Sequence, residues 1–243
     1  MTDNKVLRID DDGPVRLLTL NRPEAKNAFN RALYDAARAA LDEAAVDDST
    51  SVCVITGAGD AFSAGQDLKA LARAKENPEE AKGFDPFART LAAFDKPLIA
   101  AVNGVAVGIG TTLLLHCDLV LAADAARFKL PFAGLGLAPE VASSLLLPAT
   151  IGPQAAAYYL FTGDWIDAET AVARGLAWKR CAPERLLEDT LDLARTIAKA
   201  PLDALRNTKR LLQAARSDAV QAAMDREVDV LAEITRRWRE ATQ

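Results

Sequence analysis

Histidine occurs once and cysteine three times in the 243 residues, and that scarcity removes whole classes of chemistry before any motif is read. Cys53, Cys117 and Cys181 stand at neither pairing nor metal-ligand spacing, so a disulfide framework is excluded and a reducing, cytoplasmic location is expected. A zinc site would have to draw on carboxylates, none of which cluster at ligand spacing, so no metal is expected. Excess positive charge is also missing: 29 Lys and Arg against 34 Asp and Glu leave a formal net charge of −5. The basic face that nucleic-acid binding needs is therefore absent. No run approaches the ~18 uninterrupted apolar residues of a membrane span, and the opening MTDNKVLRID has no signal-like apolar core, so no membrane association is expected. What remains is a chain that is 50% hydrophobic, enough to bury a core of ordinary size.

The first part of the chain alternates strand and helix signals. VRLLTL (Val15 to Leu20) and SVCVITG (Ser51 to Gly57) are short apolar or β-branched runs, and two more follow at Pro97 to Val102 and Asp118 to Ala122. Between the first two, Asn30 to Val46 places Leu33, Ala37, Ala40, Leu41 and Ala44 on one helical face, with Asn30 as N-cap. The order predicts an α/β fold with its chemistry on loops at strand ends. From Pro153 onward strand-like runs vanish and amphipathic helical spacing takes over. We divide the chain into a core at 1–185 and a helical C-terminal region at 186–243. That region is either an oligomerisation element or a layer packed onto its own core.

Three segments have the residue types that chemistry needs. In GAGDAFSAGQDL (Gly57 to Leu68), glycines permit positive φ and close backbone approach to a ligand. The spacing is not G-x-G-x-x-G, and a plain strand-to-helix turn accounts for it equally well. In AVNGVAVGIGTTLLLHCDLVLAAD (Ala101 to Asp124), a helix begins near Gly108, and its unpaired N–H groups suit an oxygen that becomes negative during reaction. His116 on this apolar helix reads as a packing residue. In FKLPFAGLGLAPEVASSLLLPATIG (Phe128 to Gly152), Glu140 is the only acid. Desolvation there would raise its pKa toward the range of a proton carrier. Alternatively Pro139 and Glu140 open a helix, where a carboxylate is favoured for its charge alone. Ser143 and Ser144 have no base beside them, so nucleophilic serine chemistry is unsupported.

Taken in order, TLNRPEAKNAFN (Thr19 to Asn30), AFSAGQDL, AVNGVAVGIG, CDLVLAAD and LFTGDWIDAETAVARGLAWKRCAP (Leu160 to Pro183) resemble the crotonase superfamily, the enoyl-CoA hydratase/isomerase family. The resemblance implies a spiral of ββα units, a C-terminal helical region that assembles trimers or dimers of trimers, and an acyl-CoA thioester substrate, with coenzyme A entering as part of the substrate rather than as a cofactor. It implies an oxyanion hole of two backbone N–H groups, which map here to Ala64 and Ile109. It also implies coenzyme A contacts from Lys26, Ala28, Gly65, Gln66, Asp67, Leu68 and Gly108. Ile109 stands where most relatives have glycine, which leaves a backbone donor intact provided φ is negative there.

The hydratases of this family use two glutamates, and the matching positions here are Thr112 and Phe132. Neither is a base at neutral pH, so these residues are expected to wall the acyl pocket and hydration is disfavoured. LPFAGLGLAPEVASSLLLP together with GIGTTLL is similar instead to the Δ3,Δ2-enoyl-CoA isomerases, in which one glutamate after a proline moves the proton. That resemblance makes Glu140 the catalytic residue and the reaction a shift of the double bond from 3-enoyl-CoA to 2-enoyl-CoA. Two rivals stand beside it: another crotonase reaction such as hydration, and an acyl-CoA-binding protein that has lost catalysis.

Overall fold

A computed structural model describes residues 6–73 and 83–240 of the chain. Strand β1 (Leu7–Asp12) turns back through Gly13, at φ +57°, into β2 (Val15–Leu20). Helix α1 (Arg31–Val46) buries the expected face of Leu33, Ala37, Ala40, Leu41 and Ala44. Asn30 caps it by accepting from the Leu33 N–H at 3.0 Å. The remaining elements run β3 (Val52–Gly57), β4 (Ala61–Ser63), α2 (Leu68–Arg73), α3 (Phe84–Ala93), β5 (Leu98–Val102), β6 (Val105–Val107) and α4 (Ile109–Thr112). A short 3-10 helix, Leu113–His116, continues α4 before β7 (Leu119–Ala123), β8 (Arg127–Lys129), α5 (Ser143–Ile151), α6 (Pro153–Thr162), β9 (Trp165–Asp167) and α7 (Ala168–Ala173). The chain then forms β10 (Lys179–Cys181), α8 (Leu186–Ile197), α9 (Leu202–Ala214) and α10 (Ser217–Glu240).

Strands β1-β2-β3-β5-β7-β10 make one sheet and β4-β6-β8-β9 a second. Three strands of the first sheet are each followed by a short strand of the second and then by helix: β3 and β4, β5 and β6, β7 and β8. The fold is thus the α/β spiral of ββα units that the resemblance implied. Parallel pairing from β2 through β7 leaves these strands covered on both faces, which is why VCVITG and LIAAV are continuous apolar runs.

The tail departs from the expected helix-only region. Strands β9 and β10 fall within it, each three residues long, too short to imprint a period-2 pattern. Nor does packing stop at residue 185. Helix α8 lies on β2, β3, β5 and β7 and buries Leu186, Thr190 and Ala194, while α10 packs against α5 and α9.

A buried lysine ties α1 to the large sheet. Lys96 is 0% exposed, and its ammonium donates to the carbonyls of Ala44, Asp47 and Thr50 at 2.7, 2.8 and 2.9 Å. These carbonyls lie at and beyond the end of α1; that of Asp47 also accepts from the Thr50 N–H at 3.0 Å, whereas those of Ala44 and Thr50 depend on the lysine. Replacing Lys96 by Met keeps the stem but strands the Ala44 and Thr50 carbonyls, so Lys96→Met is expected to lower unfolding free energy by about 3 kcal/mol in urea denaturation. A loss below ~0.5 kcal/mol would contradict this role.

Candidate active site

The first two glycine segments meet. Asn27, fully buried, accepts from the Arg22 N–H and donates to the Ala58 and Ala61 carbonyls, which pins the loop before α1 to the loop before β4. Gly65 has φ +90°, and a Cβ there would stand 2.6 Å from the Val107 carbonyl oxygen. A Cβ on Gly110 would stand 2.7 Å from the Ser63 carbonyl oxygen. Glycine is required at both points because backbone lies directly against backbone, so the turn after β4 rests on the start of α4.

This packing decides which amides are open. The Ala64 N–H donates to the Lys26 carbonyl at 2.8 Å and the Gly65 N–H to Ser63 Oγ at 3.1 Å. The expected donor Ala64 is therefore corrected: its N–H is occupied, and the open amide of the turn is that of Gln66, which has no hydrogen-bond partner among the described residues. The Ile109 N–H, at the first position of α4, is likewise unpartnered, while Gly108 donates to the Lys129 carbonyl at 2.9 Å. Ile109 keeps a negative φ, so the loss of glycine at that position leaves its donor in place.

Glu140 lies outside any helix. Helix α5 starts at Ser143, so the reading of Pro139 and Glu140 as a first helical turn does not hold. Instead Val141 and Ala142 are both left-handed, at φ +57° and +56°, a strained conformation for non-glycine residues. The turn is held from three sides. His116 Nε2 bonds the Val141 carbonyl at 2.9 Å, and the Ala142 and Ser144 N–H groups donate to Glu227 at 2.7 and 2.9 Å. The Glu140 N–H donates to Ser143 Oγ at 3.2 Å. His116 is the packing residue expected, because burial lowers its pKa to about 4 and keeps the ring neutral, with Nε2–H facing a carbonyl.

Glu140 is 8% exposed, and its carboxyl accepts from Thr112 Oγ1 at 2.6 Å. Burial drives its pKa up to about 8; the Thr112 bond opposes this and the charge of Glu227 adds to it. Thr112, at one of the hydratase positions, thus touches the acid itself, and Phe132, at the other, is buried at 6% exposure. Beside Glu140 and Glu227 lies a cavity of about 10 Å³ lined also by Phe84, Val141, Met224 and Val228, room for one water. Within the segment Lys69 to Arg89, residues 74–82 lie outside the described residues.

The other expected contacts divide. Asp67 is engaged within the fold: it accepts from Arg22 at 3.0 Å and from the Lys69 and Ala70 N–H groups at 3.1 Å. Burial pulls its pKa up, and the Ala70 amide and Arg22 outweigh that to leave it lowered. Ala28 is buried and Leu68 exposed, while the Lys26 ammonium has no ion pair or hydrogen bond among the described residues. Sequence reasoning missed Tyr34, whose hydroxyl donates to Gln66 Oε1 at 2.6 Å and whose pKa is raised by burial and by Glu140. It missed Glu227 as well.

A spiral α/β protein with a buried acid next to a turn packed on a helix start is the class that fold and geometry define. Residues 11–241 match the family model described as enoyl-CoA hydratase/isomerase. The chain is 41% identical over 215 residues to 2,3-dehydroadipyl-CoA hydratase of Escherichia coli strain K12, covering 88% of this chain and 84% of that one. It is 37% identical over 235 residues to enoyl-CoA delta isomerase 2 of Rattus norvegicus, covering 94% of this chain and 60% of that one. The crystal structure of an enoyl-CoA hydratase/isomerase from Pseudoalteromonas atlantica T6c superposes with a TM-score of 0.89 at 37% identity, over 94% of this chain and 91% of that one. The chain belongs to the enoyl-CoA hydratase/isomerase family, the crotonase superfamily of acyl-CoA enzymes.

The raised pKa of Glu140 has a consequence for stability. In the unfolded chain the carboxyl ionises near 4.5, but in the fold it keeps its proton to about 8. Its stabilising contribution is full below pH 4.5 and is lost as the pH rises to about 8. Glu140→Gln has no such loss. Its stability relative to the parent protein should improve by on the order of a few kcal/mol between about pH 5 and pH 9, read by urea unfolding at each pH. A difference that stays constant across that range would mean that the acid titrates normally.

Proposed function

We propose that the protein converts 3-enoyl-CoA to 2-enoyl-CoA, with Glu140 as the proton carrier. The observation that carries this reading is the contrast between the two buried carboxylates among the described residues, Glu140 and Glu227. Both oxygens of Glu227 accept main-chain amides, whereas Glu140 accepts one bond, at Oε1, and its second oxygen is open. Ionised Glu140 removes a proton from carbon 2 of the thioester, and the C–H electron pair delocalises onto the adjoining carbonyl oxygen, conjugated with the double bond between carbons 3 and 4, as a dienolate. The same proton returns to carbon 4 and the new double bond lies between carbons 2 and 3. Atoms and charge balance with one acid and no second reactant.

The open N–H groups of Gln66 and Ile109 are the donors we assign to the dienolate oxygen, each worth roughly 3 kcal/mol in comparable oxyanion sites. Gln66 replaces Ala64 in that role. The coenzyme A part of the substrate is assigned to the loop of Lys26 and the stretch Gly65 to Leu68, with the unpaired Lys26 ammonium available to a phosphate. The hydratase among the relatives favours the rival reaction. Against that rival, the positions matching the hydratase glutamates hold a hydroxyl already bonded to Glu140 and a buried phenyl ring. For a homo-oligomer, trimer or dimer of trimers, the support is apolar surface: Tyr158 and Phe161 on α6 and Leu211 and Leu212 on α9 are between 51% and 77% exposed.

Glu140→Gln is expected to lower kcat for a 3-enoyl-CoA by roughly a thousandfold, followed by the absorbance of the conjugated thioester, while Kd for the thioester changes less than about threefold. A retained rate would remove Glu140 from the chemistry. Formation of 3-hydroxyacyl-CoA from 2-enoyl-CoA would instead favour hydration, and tight binding without conversion of either isomer would favour the non-catalytic reading.

A further inference from the structure

Glu227, on α10, is 6% exposed and has no cation in ion-pair reach among the described residues. Its charge is met only by the Ala142 and Ser144 N–H groups, at the left-handed turn and the start of α5. Glu227 and Glu140 line the same cavity of about 10 Å³. The other groups that face Glu140 offer no competing charge. From α4 comes the Thr112 hydroxyl, and from α1 Tyr34, whose phenol burial keeps protonated. The 3-10 helix contributes neutral His116, and α3 contributes Asp85, which is paired with Arg89 at 3.0 Å.

We propose that Glu227 is a positioning residue for Glu140: through the Ala142 and Ser144 amides it fixes the turn that aims the Glu140 carboxyl at Thr112, and its charge across the shared cavity sets how tightly Glu140 holds its proton. The effect on turnover rests on the reading of Glu140 as proton carrier. The electrostatic coupling does not, since it stands on burial and hydrogen bonds alone.

The test measures the proton directly. In the infrared spectrum of the full chain, the carbonyl band of protonated Glu140, assigned by its loss in Glu140→Gln, is titrated with pH in the parent protein, Glu227→Gln and Glu227→Asp. Glu227→Gln keeps an amide acceptor and removes the charge, so the midpoint should fall by about one pH unit, and the acidic limb of kcat/KM for a 3-enoyl-CoA should fall with it. Glu227→Asp keeps the charge but draws it back, so the midpoint should fall by less. An unchanged midpoint in folded Glu227→Gln overturns the proposal; if that variant does not fold, an unchanged midpoint in Glu227→Asp does so. A midpoint that moves in a protein without isomerase activity upholds Glu227 and removes the proposed reaction.

Discussion

The turn at Ser63 to Gly65 lies against the start of α4 with no space for a single added carbon, and the geometry of the site follows from that contact. A Cβ at Gly65 or Gly110 would fall within 2.7 Å of a carbonyl oxygen across the contact, and both atoms met are backbone, which cannot rotate away. Close docking places the open Gln66 N–H at one side of the contact and the open Ile109 N–H at the other. It also fixes α4, whose next turn delivers Thr112 to Glu140. One packing constraint therefore connects two main-chain donors and one acid that are far apart in sequence.

Electrostatics at the acid are a contest that burial wins. The bond from Thr112 favours the ionised form of Glu140, but a single neutral donor is worth about 1 kcal/mol net. Removing a carboxylate from water is worth several kcal/mol, and a second carboxylate nearby adds to the penalty. The result is an acid whose pKa of about 8 allows it both to take and to return a proton near neutrality. Glu227, at similar burial, is met by two amides rather than by a hydroxyl.

Much of this was legible in the residues. The long strands β2, β3, β5 and β7 showed as apolar runs, the periodicity of α1 and its Asn30 cap were plain, and Glu140 stood out as the lone acid of an apolar segment. The short strands β4, β6 and β8 were not legible, since three residues leave no periodic trace and their pairing is entirely long-range. The resemblance carried the donor role to Ala64, and glycine-rich sequence shows that a turn has open amides without showing which. That choice depends on the Lys26 carbonyl, supplied by a loop elsewhere in the chain. Glu227 was hidden by its setting: among Asp225, Glu227 and Asp229 on an amphipathic helix it looks like one more solvated acid, and its partners are 85 and 83 residues away.

The placement of Glu140 finally depends on whether a strained turn can be held. Left-handed backbone at Val141 and Ala142 costs on the order of 1–2 kcal/mol for each residue. Two amide bonds to an ionised carboxylate stabilise by about 1.5–3 kcal/mol each, and the His116 contact with the Val141 carbonyl adds to them. The bonds exceed the strain, but only while Glu227 is present, and Glu227 comes from the last helix of the chain. Helix α10 therefore acts on the acid of the candidate site from within the same chain. A helix that looks like an appendage in the sequence completes the pocket that the spiral core begins.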